Sequence, residues 1–75
     1  MERVEGFLCP KNEEIKVRYC DEDRNLRFVI TRHTLKGVCL LYEIGKDGPK
    51  KLGESRDPHK LEIKFDVNKK ISRLP

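Results

Sequence analysis

The sequence contains no alanine, no glutamine and no tryptophan, and its aromatic residues are two tyrosines and three phenylalanines. Alanine is the strongest helix former, so its absence weakens the case for long helices. Valine, isoleucine, phenylalanine, tyrosine and threonine fill the apolar segments instead, and these residues favour strands. The composition therefore predicts a β-rich chain.

Long apolar runs and a cysteine framework are also missing. No apolar run approaches the roughly 20 residues that a membrane span needs, and the start "MERVEG" lacks the apolar core of a signal peptide. The three cysteines are odd in number and have no framework spacing, which is typical of a reducing compartment. We expect a cytoplasmic protein that does not associate with membranes.

The chain is short enough to limit what its interior can hold. Seventy-five residues predict one domain, spanning 1–75. Such a chain buries only about 60% of the surface that it exposes when unfolded, which leaves little room for a deep substrate cavity. Within this small β domain, residues 45–60 are rich in glycine, proline and lysine. That composition predicts a basic loop or hairpin excursion.

Apolar and polar residues alternate with the period of two that predicts half-buried strands. The clearest segments are residues 13–19, 26–32, 38–44 and 61–67. Weaker strands are predicted at 3–9 and 50–54, with an edge piece in the tail 69–75. The pattern predicts an all-β fold, a small antiparallel meander of five to six strands forming an SH3-like or OB-like open barrel. A flat meander completed by dimerisation is the alternative.

A strand register follows if residues 21–24 form a four-residue hairpin loop. Tyr19 then faces Leu26, and Ile30 faces Val38 in the next hairpin, so that one face is apolar throughout. On the opposite face this register groups apolar residues beside basic ones, namely Val29, Cys39 and Leu41 beside Arg18 and Arg27. That apolar group predicts either a contact surface for an anionic partner or a second subunit, or a face covered by the first strand, with Phe7 and Cys9, or by the C-terminal tail.

The net charge of +4 is unevenly placed along the chain. Residues 1–24 carry five basic and seven acidic side chains, and residues 25–75 carry twelve basic and six acidic ones. The second part therefore has a net charge of +6, which favours contact with a polyanion such as nucleic acid. The predicted nucleic-acid contacts are Arg18, Arg27, Lys46, Lys50, Lys51, Arg56 and Lys60.

Aromatic residues limit the kind of nucleic-acid binding that is expected. Tyr19, Phe28, Tyr42 and Phe65 fall on the predicted core face, which leaves only Phe7 as a base-stacking platform. Binding should therefore be directed at the backbone, sensitive to salt and poor in sequence preference.

No residue pattern indicates catalysis, a metal or a cofactor. The cysteines Cys9, Cys20 and Cys39 lack the short paired spacing of structural zinc sites, and His33 and His59 do not complete one. The acidic turn 21–23 lacks the spacing of a calcium loop, and "GKDGPKKLGES" lacks the spacing of a nucleotide-binding P-loop. We predict a non-enzymatic module with weak, charge-driven binding to nucleic-acid backbone. The alternative is a protein–protein adaptor or homodimerisation module that uses Val29, Cys39 and Leu41.

Overall fold

A computed structural model describes residues 3–4 and 7–71 of the chain, with side chains from residue 7 to residue 69. The strands are β1 (Arg3–Val4), β2 (Phe7–Leu8), β3 (Glu13–Cys20), β4 (Leu26–His33), β5 (Cys39–Gly45) and β6 (Gly48–Ser55). Two short helices follow, α1 (Pro58–Lys64) and α2 (Val67–Ile71). No helix in this part of the chain is long and apolar enough to cross a membrane.

The four long strands form an antiparallel meander in the order β3-β4-β5-β6, and β1 pairs with β2 in a separate small hairpin. The all-β meander predicted from the alternation is therefore confirmed. Among the described strands, β3 and β6 do not pair with each other. The sheet is open, and an SH3-like or OB-like closure stays a prediction.

The predicted register between β3 and β4 is wrong by one or two residues. Tyr19 pairs with Phe28, and Cys20 pairs with Leu26, because the loop between them has five residues rather than four. The carboxylate of Asp21 holds this loop by accepting hydrogen bonds of 2.9 Å from the backbone N–H groups of two of its residues, Asp23 and Asn25.

Bulges change the alternation within this pair of strands. Val17 pairs with Ile30 but Ile15 pairs with Thr31, so Lys16 is an extra residue in β3. Arg27 is likewise the extra residue in β4 beside Cys20. A bulge leaves its extra residue outside the regular pairing and bends the strand. Neither bulge can be recognised from the alternation of apolar and polar residues.

The predicted register between β4 and β5 is also wrong, and this error assigns the residues of β5 to the opposite faces of the sheet. Ile30 pairs with Leu41 instead of Val38, a shift by an odd number of residues. Residues 38–42 are all apolar, so alternation does not tell which of them face the same side as Ile30.

The strand predicted at residues 61–67 is wrong, because α1 occupies most of this segment. Asp57 caps the helix, its carboxylate accepting a 3.0 Å hydrogen bond from the backbone N–H of His59. Pro58 takes the first helical position, where its fixed φ and missing N–H are tolerated. Leu61 and Phe65, four residues apart, then face the sheet together.

The weaker strands have different outcomes. The strand predicted at 50–54 lies within β6, and the segment 3–9 forms the β1-β2 hairpin instead of one strand. The edge strand predicted in the tail is wrong up to residue 71, which ends α2, and residues 72–75 lie outside the described part of the chain. The segment 45–60 comprises a two-residue turn, strand β6 and the start of α1.

Both faces of the sheet are covered. On the face toward the helices, a buried cluster contains Tyr19, Phe28, Ile30, Cys39, Leu41, Leu61 and Val67. On the face toward the N-terminal hairpin, a second cluster contains Phe7, Cys9, Leu26 and Val29, with Ile15, Tyr42 and Ile44 against it. We call these the helix-side core and the hairpin-side core.

The apolar contact surface predicted from Val29, Cys39 and Leu41 is corrected by this arrangement. Val29 belongs to the hairpin-side core, whereas Cys39 and Leu41 belong to the helix-side core. Their side chains are 0%, 5% and 0% exposed. The three residues therefore do not share a face, and the chain itself covers each of them.

Candidate functional site

The meander has two distinct ends. The loop 21–25 and the turn 46–47 lie at one end, since Phe28 near the start of β4 pairs with Glu43 near the end of β5. The loop 34–38 and the start of α1 lie at the other, where Cys39 pairs with both Arg32 and Ser55. We call these the turn end and the helix end.

The seven predicted nucleic-acid contacts divide between these two ends. All seven side chains are exposed. Five of them are near the turn end, namely Arg18, Arg27, Lys46, Lys50 and Lys51. Arg56 and Lys60 are at the helix end, so the predicted residues do not form one continuous surface.

Acidic residues offset most of the basic ones at the turn end. Residues 18–27 contain three basic and three acidic side chains, and residues 43–53 contain three basic and two acidic ones. The ammonium of Lys51 lies 2.9 Å from the carboxylate of Glu54 and lowers the pKa of that carboxyl through a hydrogen bond and its charge. Lys50 is paired across the strands with Glu43. The turn end therefore keeps a net charge of only +1.

The helix end keeps a positive balance. Residues 11–16 contain two basic and two acidic side chains, residues 32–36 contain two basic and no acidic ones, and residues 54–60 contain two basic and two acidic ones. Together they carry a net charge of +2 with both histidines neutral. The helix end thus carries one more positive charge than the turn end.

A cleft of about 390 Å³ opens at this end. It is lined by Lys16, Arg32, Gly37, Cys39, Arg56 and Pro58. Arg32 stands in a cross-strand row with Glu14 and Cys39 on the face toward the helices. Lys16 enters from the bulge in β3, and Arg56 enters from the junction of β6 and α1. The cleft therefore collects three cations from three separate segments.

Carboxylates lie near these cations, since Asp57 stands between Arg56 and Pro58 in the sequence and Glu14 pairs with Lys16. The ammonium of Lys16 lies 3.0 Å from the carboxylate of Glu14, and both side chains are about half exposed. An exposed ion pair of this kind contributes about 1 kcal/mol or less to stability, so Lys16 is able to turn toward an anion. The three cations and Glu14 together carry a net charge of +2.

Of the three cations that line the cleft, only Arg56 is predicted from the sequence as a nucleic-acid contact, and Lys16 and Arg32 are not. For Arg32 a signal was present, because Leu26, Phe28 and Ile30 alternate and Arg32 continues the same spacing. A cation that ends an apolar row is expected where that face reaches solvent. For Lys16 no signal was present, because its position depends on the bulge.

The other polar groups within the fold connect its elements. Thr31, which is fully buried, and Tyr42 both donate hydrogen bonds to the same oxygen of Glu13, at 2.6 Å and 2.9 Å. On the other face, Tyr19 donates a 2.7 Å hydrogen bond to Glu62 on α1. Burial and the neighbouring carboxylates raise the pKa of both tyrosines, which keeps them protonated as donors.

Neither aromatic stacking nor metal chemistry is supported by the described side chains. Phe7, the predicted stacking platform, is fully buried, its ring centroid 5.2 Å from that of Tyr42. The described residues contain no group of three or more histidines, cysteines, aspartates or glutamates placed to hold a metal ion. Cys9 and Cys39 are buried, whereas Cys20 is exposed.

Comparisons of this chain with protein-family models, curated proteins and solved structures found no match.

Proposed function

We propose that this protein is a small non-enzymatic module that binds nucleic-acid backbone by charge, with the helix end as its contact surface. The observation that carries the proposal is the convergence of Lys16, Arg32 and Arg56 on one cleft, at the end with the larger positive charge. Arginine and lysine contacts to phosphate supply most of the affinity in sequence-independent nucleic-acid binding.

The covered aromatic rings support a backbone-directed mode. Phe7, Tyr19 and Phe28 are buried, while Tyr42 and Phe65 are half-buried against the cores. Stacking on a protein surface needs an exposed ring face, so base stacking contributes little here. We expect binding that depends steeply on salt and little on sequence.

The adaptor or homodimer alternative depended on an exposed group of Val29, Cys39 and Leu41. All three side chains are buried by the chain's own segments. No observation on the described surface favours that alternative over charge-driven binding.

The test compares two variants that each lose three positive charges. Replacing Arg32, Arg56 and Lys60 by alanine removes cations at the helix end, and replacing Arg27, Lys46 and Lys50 removes them at the turn end. Titration with single-stranded and duplex nucleic acid at two salt concentrations should show the larger loss of affinity for the first variant. Its salt dependence should also flatten by about one unit of slope for each lost phosphate contact.

Two results would contradict the proposal. A wild-type protein that binds neither form at low salt excludes the function itself. Equal losses in the two variants show that total charge, and not the helix end, governs binding.

A further inference from the structure

We infer that the cleft of Lys16, Arg32 and Arg56 is a subsite for the terminal phosphate of a nucleic-acid strand. Backbone binding alone needs only exposed cations along a surface, whereas this cleft brings three cations together around one volume. The inference rests on the proposed function in one respect, because the phosphate is assigned to the end of a nucleic-acid strand.

The charge of the cleft fits a phosphate monoester better than a phosphodiester. Its three cations and the carboxylate of Glu14 give a net charge of +2. A phosphate monoester carries about −1.5 to −2 at pH 7, whereas each phosphodiester of a strand carries about −1. A terminal phosphate therefore matches the charge of these four side chains, whereas an internal one balances only about half of it.

The chemistry of the lining side chains suits the same group. Two of the three cations are arginines, Arg32 and Arg56, whose planar guanidinium groups bind phosphate oxygens in pairs. They come from different segments, so they approach an anion from different directions. A dianion offers three equivalent oxygens to such convergent donors, more than a phosphodiester has free.

The size and opening of the cleft admit a strand end. A volume of about 390 Å³ is at the lower limit of pockets that hold small ligands, roughly 300–1,000 Å³, and exceeds what a phosphate alone fills. On one side the cleft is lined by Gly37. A Cβ added to Gly37 would have no atom within 4 Å apart from those of the glycine and its two neighbours in the chain. That open side leaves space for the nucleotide attached to the phosphate.

Strand position offers a matched control for Arg32. Arg27 and Arg32 are both exposed arginines of β4, and five residues of strand separate them by about 17 Å. Only Arg32 lines the cleft. Replacing either by alanine removes the same charge from the same strand, so any difference between the variants reports on the cleft.

The experiment measures binding of one short single strand with a 5′-phosphate, with a 3′-phosphate, or with hydroxyl groups at both ends. We expect the wild type and Arg27→Ala to bind at least one phosphorylated form about tenfold more tightly than the hydroxyl form. Arg32→Ala should lose this preference while still binding all forms. Circular dichroism checks that each variant is folded. If Arg32→Ala does not fold, Arg56→Ala, which changes another segment of the cleft, takes its place in the test.

Adenosine 5′-monophosphate, with adenosine as its control, distinguishes the two sources of a phosphate monoester. Competition by the nucleotide but not the nucleoside, together with preference for phosphorylated strands, supports the inference. Equal affinity of wild type for phosphorylated and hydroxyl strands overturns the inference and leaves the proposed function standing. Binding of the nucleotide without binding of any strand overturns both the strand-end assignment and the proposed function.

Discussion

At the scale of single residues, the carboxylate of Glu13 joins three strands. Glu13 lies on β3, and its two hydroxyl donors, Thr31 and Tyr42, lie on β4 and β5. A hydrogen bond to a charged acceptor contributes more than one between neutral groups, about 1.5–3 kcal/mol. This network therefore fixes the hairpin-side face more firmly than apolar contacts alone.

Tyr42→Phe tests this network through its dependence on pH. The pKa of Tyr42 is raised in the folded state by burial and by Glu13, whereas the unfolded side chain ionises near its usual value of 10.0. Above pH 10 the unfolded state loses this proton first, so the wild type should lose stability as pH rises. Tyr42→Phe should be less stable at pH 7 by about 1–2 kcal/mol, and its decline above pH 10 should be shallower.

Urea unfolding of both proteins at pH 7 and at several values above pH 10 gives the comparison. All other ionisable side chains are the same in the two proteins, so the difference isolates Tyr42. Parallel curves above pH 10 would show that the hydroxyl does not hold its proton in the fold.

This network was not predictable from the sequence. Alternation placed Tyr42 on the side of Phe28 and Ile30, whereas the observed register places it with Val29. Joining Glu13 to Thr31 and Tyr42 requires two registers at once, and both depend on loop length and bulges. The existence of the strands, by contrast, followed directly from the alternation.

At the scale of elements, the residue that caps the C-terminal end of α1 packs on a glycine of the sheet. A Cβ added at Gly53 on β6 would lie 3.0 Å from two ring atoms of Phe65. Phe65 is half-buried against the helix-side core. The glycine thus sets how closely the end of α1 approaches the sheet.

Gly53→Val should therefore destabilise the fold by about 1–3 kcal/mol, since it forces Phe65 out of its place. Gly45→Val is the control, because a Cβ there meets only the carbonyl oxygen of Gly48 at 3.9 Å, an ordinary contact. Thermal or urea unfolding of the two variants measures the difference. Equal stabilities would mean that the ring moves aside without cost.

The error over residues 61–67 has a local cause. Leu61, Ile63, Phe65 and Val67 alternate as a strand would, but Leu61 and Phe65 also have helical spacing. The deciding signal was Asp57 followed by Pro58, a helix start that the sequence shows. Ile63, which is 61% exposed, is the residue that alternation placed on the wrong side.

At the scale of the whole molecule, the sheet has a core on each face, and the hairpin-side core is closed by the short β2. Phe7 is fully buried there, although β2 has only two residues. A domain of this size has little stability in reserve. We therefore expect the fold to depend on the N-terminal hairpin.

Phe7→Ala should cost about 3–5 kcal/mol, enough to leave much of the protein unfolded at room temperature. Leu8→Ala is the matched control, because Leu8 is the next residue and is 51% exposed; it should cost far less. Circular dichroism with urea unfolding distinguishes the two. A Phe7→Ala variant that is folded and as stable as the wild type would show that the hairpin contributes little to the stability of the fold.

The charge map at this scale was predictable in part. The excess of basic residues after residue 24 is visible in the sequence, and Arg56 and Lys60 were placed correctly at the surface. The partial neutralisation of the turn end was not visible, because it depends on bringing residues 18–27 beside residues 43–53. The cleft therefore excludes most of the cations predicted from the sequence as contacts, of which only Arg56 lines it.

The bulges have a further consequence for encounters between copies of the chain. Lys16 interrupts β3, and Leu52 is the extra residue where β6 pairs with β5; these are the two outer strands of the sheet. An uninterrupted outer strand is a template on which another chain adds its own, the first step of amyloid-like growth. Here each outer strand is bent at a bulge, and β6 also carries Pro49 and two lysines. The bulges that make the register hard to predict thus also disfavour the addition of further strands at the two edges of the sheet.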